Sequence, residues 1–104
     1  MTTYNVDNGT GDNVAQGLSA KHAYERAHEV AYRDGIASRI YADGTNEYDD
    51  VIKPITDEEI DALCVEAGAA GDTAMIETCR RAKDGDGAAL VSVARALNDA
   101  AANA

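Results

Sequence analysis

The stretch from Asp43 to Asp61, DGTNEYDDVIKPITDEEID, carries eight carboxylates and a single cation, Lys53. Carboxylates at this density can ligate a hard cation, pass protons in pairs, or attract a positively charged partner. A calcium loop needs oxygens at alternate positions, a central glycine and a closing glutamate. Neither DGTNEYDD nor the later DGDG has that pattern. On a strand, Asp49 and Asp50 point to opposite sides, so they do not share a metal. Capture of a cationic partner is the chemistry left. Seven of the ten net negative charges fall in these 19 of 104 residues. The flanks are nearly balanced, with a net of −1 over residues 1–42 and −2 over residues 62–104. A field of one sign concentrated in one place steers and selects partners of the other sign.

The remaining reactive side chains form no catalytic set. His22 and His28 are six apart on an expected helix, do not share a face for a metal, and are expected at the surface. Cys64 and Cys79 fall on the inner faces of successive helices and read as reduced, buried, non-catalytic thiols. Neither has a histidine beside it in sequence to activate it. The glycine runs GTGD and GDGAAL lack the lysine and glycine spacing of a phosphate loop, and Asp86 would repel a phosphate at the last helix start. With no His–acid pair, metal signature or activated nucleophile, the chain is expected not to be an enzyme and to need no metal or cofactor.

A sequence pI near 4.3 argues against direct binding to nucleic acid or to anionic membranes. It suits a basic protein partner. No charged-then-apolar signal opens the sequence and no apolar run approaches the ~18 residues of a spanning helix, so a cytoplasmic location is expected. Apolar residues make up 45% of the chain, but many are alanine, with no Trp, no Phe and five Tyr. The core is therefore expected to be thin and alanine-lined, with closely packed helices.

These residues must be positioned by a small α+β fold, expected as a single domain over 1–104. Residues 1–53 read as ββαββ and 54–104 as a helical part. Tyr4 and Val6 alternate with polar residues, residues 7–11 form a turn, and Val14 to Gln16 return as a strand. Residues 19–34 are a helix with Ser19 as N-cap, Gly35 just past its end, and Ala20, Ala23, Tyr24, Ala27, Val30 and Ala31 on one face. Residues 36–42 alternate again, Asp43-Gly44 is a hairpin turn, and Thr45 to Ile52 form a return strand acidic enough to suit only a sheet edge. After Pro54, Thr56-Asp57-Glu58-Glu59 is a capping box, with Ile55 and Ile60 as a hydrophobic staple. That helix is expected to end at Gly68. Gly71-Asp72 and Gly85-Asp86 repeat at an offset of 14, and each opens a short helix. The tail beyond Leu97 is expected to fray.

The helix dipole accounts for acids in the first turn, so Asp57, Glu58 and Glu59 are partly structural. The turn partly accounts for Asp43. Glu47, Asp49 and Asp50 have no such role. The expected partner-binding set is Asp43, Glu47, Asp49 and Asp50, with Asp57 and Glu58 beside them and Tyr41 or Tyr48 as an aromatic anchor. In size, charge and lack of catalytic residues the chain is similar to the small acidic inhibitors that phages and mobile elements direct against nucleases, restriction enzymes and CRISPR complexes. That likeness implies a nucleic-acid mimic seated on a basic, nucleic-acid-binding protein or complex. The alternatives are an accessory or structural subunit that self-associates, as a homodimer, through its Ala-rich helices, and a small enzyme or ligand-binding domain whose acids hold a cationic substrate.

Overall fold

Tyr4 and Val6 turn the same side of one strand toward the interior, and the rest of the sheet is assembled on that strand. The computed structural model describes residues 2–45 and 49–102. β1 (Tyr4–Asp7) pairs antiparallel with β2 (Asn13–Leu18). The turn between them is closed by side chains. Asp7 accepts the Gly9 N–H at 2.9 Å, and Asn8 accepts the Thr10 N–H and hydroxyl. Gly9 has φ 80°, and a Cβ there would stand 2.1 Å from the Ala37 carbonyl oxygen. Glycine is needed at this position for conformation and for space alike.

α1 (Ala20–Asp34) follows, with the Ser19 hydroxyl accepting the His22 N–H and Gly35 closing the last turn onto the Ala31 carbonyl. β3 (Ser38–Ala42) then lies antiparallel beside β1, and β4 (Asp50–Ile52) beside β3, giving the spatial order β2-β1-β3-β4. The two hairpins thus join through their first strands into one antiparallel sheet. β4 is an edge strand, where its acids were expected, and among the described residues its strand spans Asp50 to Ile52; residues 46–48 lie outside the described part. The first core lies between the sheet and α1. Val6, Ile40 and Ile52 meet Ala23, Ala27 and Ala31 there. The Ser38 hydroxyl, fully buried, donates to the Ala27 carbonyl at 2.7 Å and ties β3 to α1.

α2 (Asp57–Ala70) begins as expected. Thr56 accepts the Glu59 N–H, the Glu59 carboxylate accepts the Thr56 N–H, and Ile55 and Ile60 are both buried. Its end differs from the sequence reading. Gly68 stays helical, and the helix closes at Gly71, whose φ of 71° lets its N–H reach the Ala67 and Gly68 carbonyls. Glycine in a helix costs only about 1 kcal/mol relative to alanine, and the left-handed cap is better supplied by Gly71 with Asp72 after it. Asp72 caps α3 (Thr73–Lys83) through the Met75 N–H, and Asp86 accepts from Ala88 and Ala89 at the start of α4 (Gly87–Ala102). The repeat is therefore a pair of capped helices. The tail continues α4 as far as Ala102 instead of fraying, because alanine is the strongest helix former.

The second core gathers Ile55, Ile60, Cys79, Ala82, Ala89, Leu90 and Val93, with Tyr32, Leu63 and Cys64 against it. Both cysteines are free, and burial, with Cys64 alongside, pushes the Cys79 thiol upward. A protonated, enclosed thiol is a poor nucleophile. α4 meets α1 at Gly87, where a Cβ would lie 2.5 Å from the Glu25 carbonyl oxygen. Among the described residues no helix is long and apolar enough to cross a membrane.

Gly9 and Gly11 share a turn and both have positive φ, but space around Gly11 is open. Gly9→Ala is expected to cost at least ~2 kcal/mol, from conformation plus displacement of Ala37, and Gly11→Ala about 1 kcal/mol. Urea midpoints of the two variants measure the difference; equal costs would show that the Ala37 contact has no weight.

Candidate functional site

The acidic segment is held to α1 at two points. Tyr24 and Tyr32 are eight residues apart, so they lie on one side of the helix two turns from each other. The Tyr24 hydroxyl donates to the Asp50 carboxylate at 2.9 Å, and the Tyr32 hydroxyl donates to Asp57. Each bond favours the neutral phenol. Hydrogen bonding to Asp50, with burial and the Asp50 charge, raises the Tyr24 phenol above its ordinary range. Hydrogen bonding to Asp57 pushes Tyr32 from 10.0 up to about 12. One carboxylate belongs to β4 and the other to the first turn of α2, so the linker between them is fixed at both ends.

The acids therefore have different duties. Asp50 is exposed and also accepts the Val51 N–H. Asp57 is exposed and sits at the positive end of α2. Asp61 pairs with Lys83 at 2.8 Å, and Glu59 is used in the cap. Asp43, exposed, accepts a 3.2 Å bond from the Asn5 amide. Asp49 is held through its backbone, its N–H donating to the Ile40 carbonyl at 2.8 Å. Asp49 and Glu58 are exposed, and among the described residues their carboxylates take no hydrogen bond or ion pair. Glu47 and Tyr48 lie outside the described residues.

The structure brings Asp50 and Asp57 to the α1 side of the sheet, with Glu58 next to Asp57. It places Tyr41 elsewhere. Ser38 and Ile40 face α1, so the alternation of β3 turns Arg39 and Tyr41 to the opposite face. There the Tyr41 hydroxyl accepts a 2.9 Å bond from the Asn13 amide, and Arg39 forms a 2.8 Å ion pair with Asp7 across the strands. Asn5, which binds Asp43, shares that face and also accepts the Gly17 N–H. Tyr41 and Asp43 thus belong to a polar network on the open sheet face. Asp50 and Asp57 belong to a ledge along α1.

Sequence reasoning missed what lies between the two tyrosines. His28 is four residues from each, so Tyr24, His28 and Tyr32 form one stripe, a spacing that could have been read directly. His28 is not the surface residue expected: it is half-buried, and its Nδ1 is enclosed with no hydrogen-bond partner. Burial pushes its pKa below the usual histidine range, and the nearby Asp50 charge opposes this only in part. His28 lines a cleft of about 850 Å³ between α1, the β4–α2 linker and α4. His22 is exposed, as expected. Among the described residues no three His, Cys, Asp or Glu side chains stand together as a metal site.

The phenol shifts carry a signed consequence. A folded state that holds its phenol protons more tightly than the unfolded chain is stabilised below the ordinary tyrosine range, near 10.0, and loses that contribution as pH rises toward about 12. Tyr32→Phe is therefore expected to flatten the alkaline decline in stability between those values, measured as urea midpoints against pH. A decline as steep as the parent's would show that Asp57 does not hold the phenol.

No family model matches the chain, and neither the curated proteins nor the solved structures contain a match to it.

Proposed function

We propose that the protein is a non-enzymatic acidic binding module that occupies a basic, nucleic-acid-binding surface of another protein or complex, in the manner of the small inhibitors carried by phages and mobile elements. The observation that supports this most directly is the concentration of seven of ten net charges in residues 43–61. The geometry adds a physical reason. Tyr24 and Tyr32 hold two of the carboxylate-bearing elements against one helix, so the exposed Asp49, Asp50, Asp57 and Glu58 are presented with little left to order on binding. Carboxylates fixed in this way can stand where phosphates would, and their summed field speeds encounter with a cationic groove. Glu47 belongs to the same charge run.

A second reading, self-association through the alanine-rich helices, is favoured by one observation. Ala62, Val65 and Ala69 recur at helical spacing on α2 and are all exposed, Val65 at 73%. Sedimentation velocity separates the readings. A concentration-dependent dimer abolished by Val65→Glu supports the second, whereas a monomer leaves the acidic ledge as the working surface.

The first reading is tested by capture of proteins from a lysate, with elution by salt and by duplex DNA. Nucleic-acid-binding proteins released by both are the expected catch. Reversal of Glu47, Asp49 and Glu58 to lysine is expected to weaken capture at least tenfold, and the carboxylates of Asp49 and Glu58 serve no described hydrogen bond. Reversal of Glu66 and Asp99, on other parts of the helical half, is expected to do far less. Raising salt from about 50 to 500 mM brings the screening length well below ~10 Å and should release the partner. Binding indifferent to both the triple reversal and the salt overturns the proposal.

A further inference from the structure

The chain has nine cations against nineteen acids, so each cation has an abundance of local partners to choose from. Five take one: Arg26, Arg33, Arg39, Arg80 and Lys83 are all in ion pairs. Of the four others, Lys21, Lys53 and Arg95 line a single cleft, the one that His28 also lines. They come from three different elements: the first turn of α1, the β4–α2 linker and the middle of α4. The acids of the same cleft are mostly committed. Asp50 accepts from Tyr24 and Val51, and Glu59 accepts from Thr56. Glu25 is the one lining carboxylate without a hydrogen bond or ion pair among the described residues. Three cations and three carboxylates thus line the cleft, which is neutral in formal charge within a molecule of net −10.

The rest of the wall is apolar. Pro54, Ile55, Val91 and Leu97 line it, and the volume of about 850 Å³ is within the range of roughly 300–1,000 Å³ that small-molecule sites occupy. His28 adds a ring nitrogen that is enclosed and has no hydrogen-bond partner among the described residues.

We propose that this cleft binds a small amphipathic anion, its carboxylate or phosphate head drawn by Lys21, Lys53 and Arg95 and its apolar body laid along Pro54, Val91 and Leu97. An anionic head placed among three uncommitted cations gains charge-assisted hydrogen bonds. The body removes half-buried apolar surface from water. His28 then senses occupancy. Burial lowers its affinity for a proton in the free protein, and a bound anion beside it, added to Asp50, draws the proton back. Glu25, on α1, and Glu59, at the start of α2, also line the cleft and act in the same direction; Lys21, Lys53 and Arg95 oppose it.

The test uses the full chain, ¹⁵N-labelled, titrated with octanoate, with octyl phosphate and with octanol. Saturable shifts confined to amides that border the cleft, in residues 21–28, 50–53, 55 and 88–98, are expected with at least one of the anions, and octanol is expected to bind at least tenfold more weakly. Whichever anion binds more tightly identifies the head group. The His28 ring should titrate at higher pH in the saturated complex than in the free protein. Lys53→Glu with Arg95→Glu, both at exposed positions, should lose at least tenfold in affinity while the rest of the spectrum is unchanged. Lys53→Arg with Arg95→Lys should retain binding. Equal binding of octanol and the anions, shifts scattered over the surface, or an unaltered affinity in the charge-reversed protein overturns the proposal. Asp50 borders both the cleft and the acidic ledge, but Asp49, Asp57 and Glu58 do not line the cleft, so capture of a basic partner can fail or succeed independently of these outcomes.

Discussion

Alanine on a contact face lets two backbones approach closely, and α1 depends on this approach along its length. Ala23, Ala27 and Ala31 are fully buried against the strands, and the Ser38 hydroxyl reaches the helix backbone itself. At Gly87 the start of α4 comes so near that even a methyl group would collide with the Glu25 carbonyl. With neither Phe nor Trp in the chain, and Tyr4 and Tyr32 only partly buried at the core margins, few bulky side chains fill gaps between layers. Packing must therefore be achieved by bringing backbones together, since interiors tolerate few voids. The same helix carries the tyrosines that hold the acidic segment and the histidine that floors the cleft. A shift of α1 would disturb both cores and both surfaces.

The parts of this arrangement visible in the sequence are those determined locally. Ser19, Thr56 with Glu59, Asp72 and Asp86 cap helices where their types and spacings say they should. The α+β class and the edge position of the acidic strand follow from alternation and charge. Gly68 was misleading because two glycines compete to end α2, and the choice depends on which can donate to free carbonyls with Asp72 next in line. The tail was misleading because polar and alanine-rich composition resembles a fraying end, whereas alanine simply prolongs α4.

The site was legible in charge and not in geometry. Residues 43–61 stand out by composition, but nothing in that segment says that Tyr24 and Tyr32, more than twenty residues earlier, will bind it. Strand alternation could have separated Tyr41 from Asp50 once Ile40 was assigned inward, because adjacent residues must face opposite sides. His28 was harder. It lines a cleft shared with the linker and α4, residues distant from it in sequence. The unpaired cations were likewise invisible, since ion pairing with Asp7, Asp34 and Asp61 is a property of the folded surface.

The two outer strands of the sheet end its growth by different means. Among the described residues β4 offers three, Asp50 to Ile52, in strand pairing, with the exposed Asp49 just before them. β2 slips register against β1 on both sides of Val6 and passes through Gly17 at φ 68°. A neighbouring molecule seeking to add a strand meets a negative charge on one border and a kinked, interrupted ladder of donors and acceptors on the other. Both borders are poor templates for a growing fibre. Like charges keep molecules apart before their strands can align, and the sheet stays four strands wide.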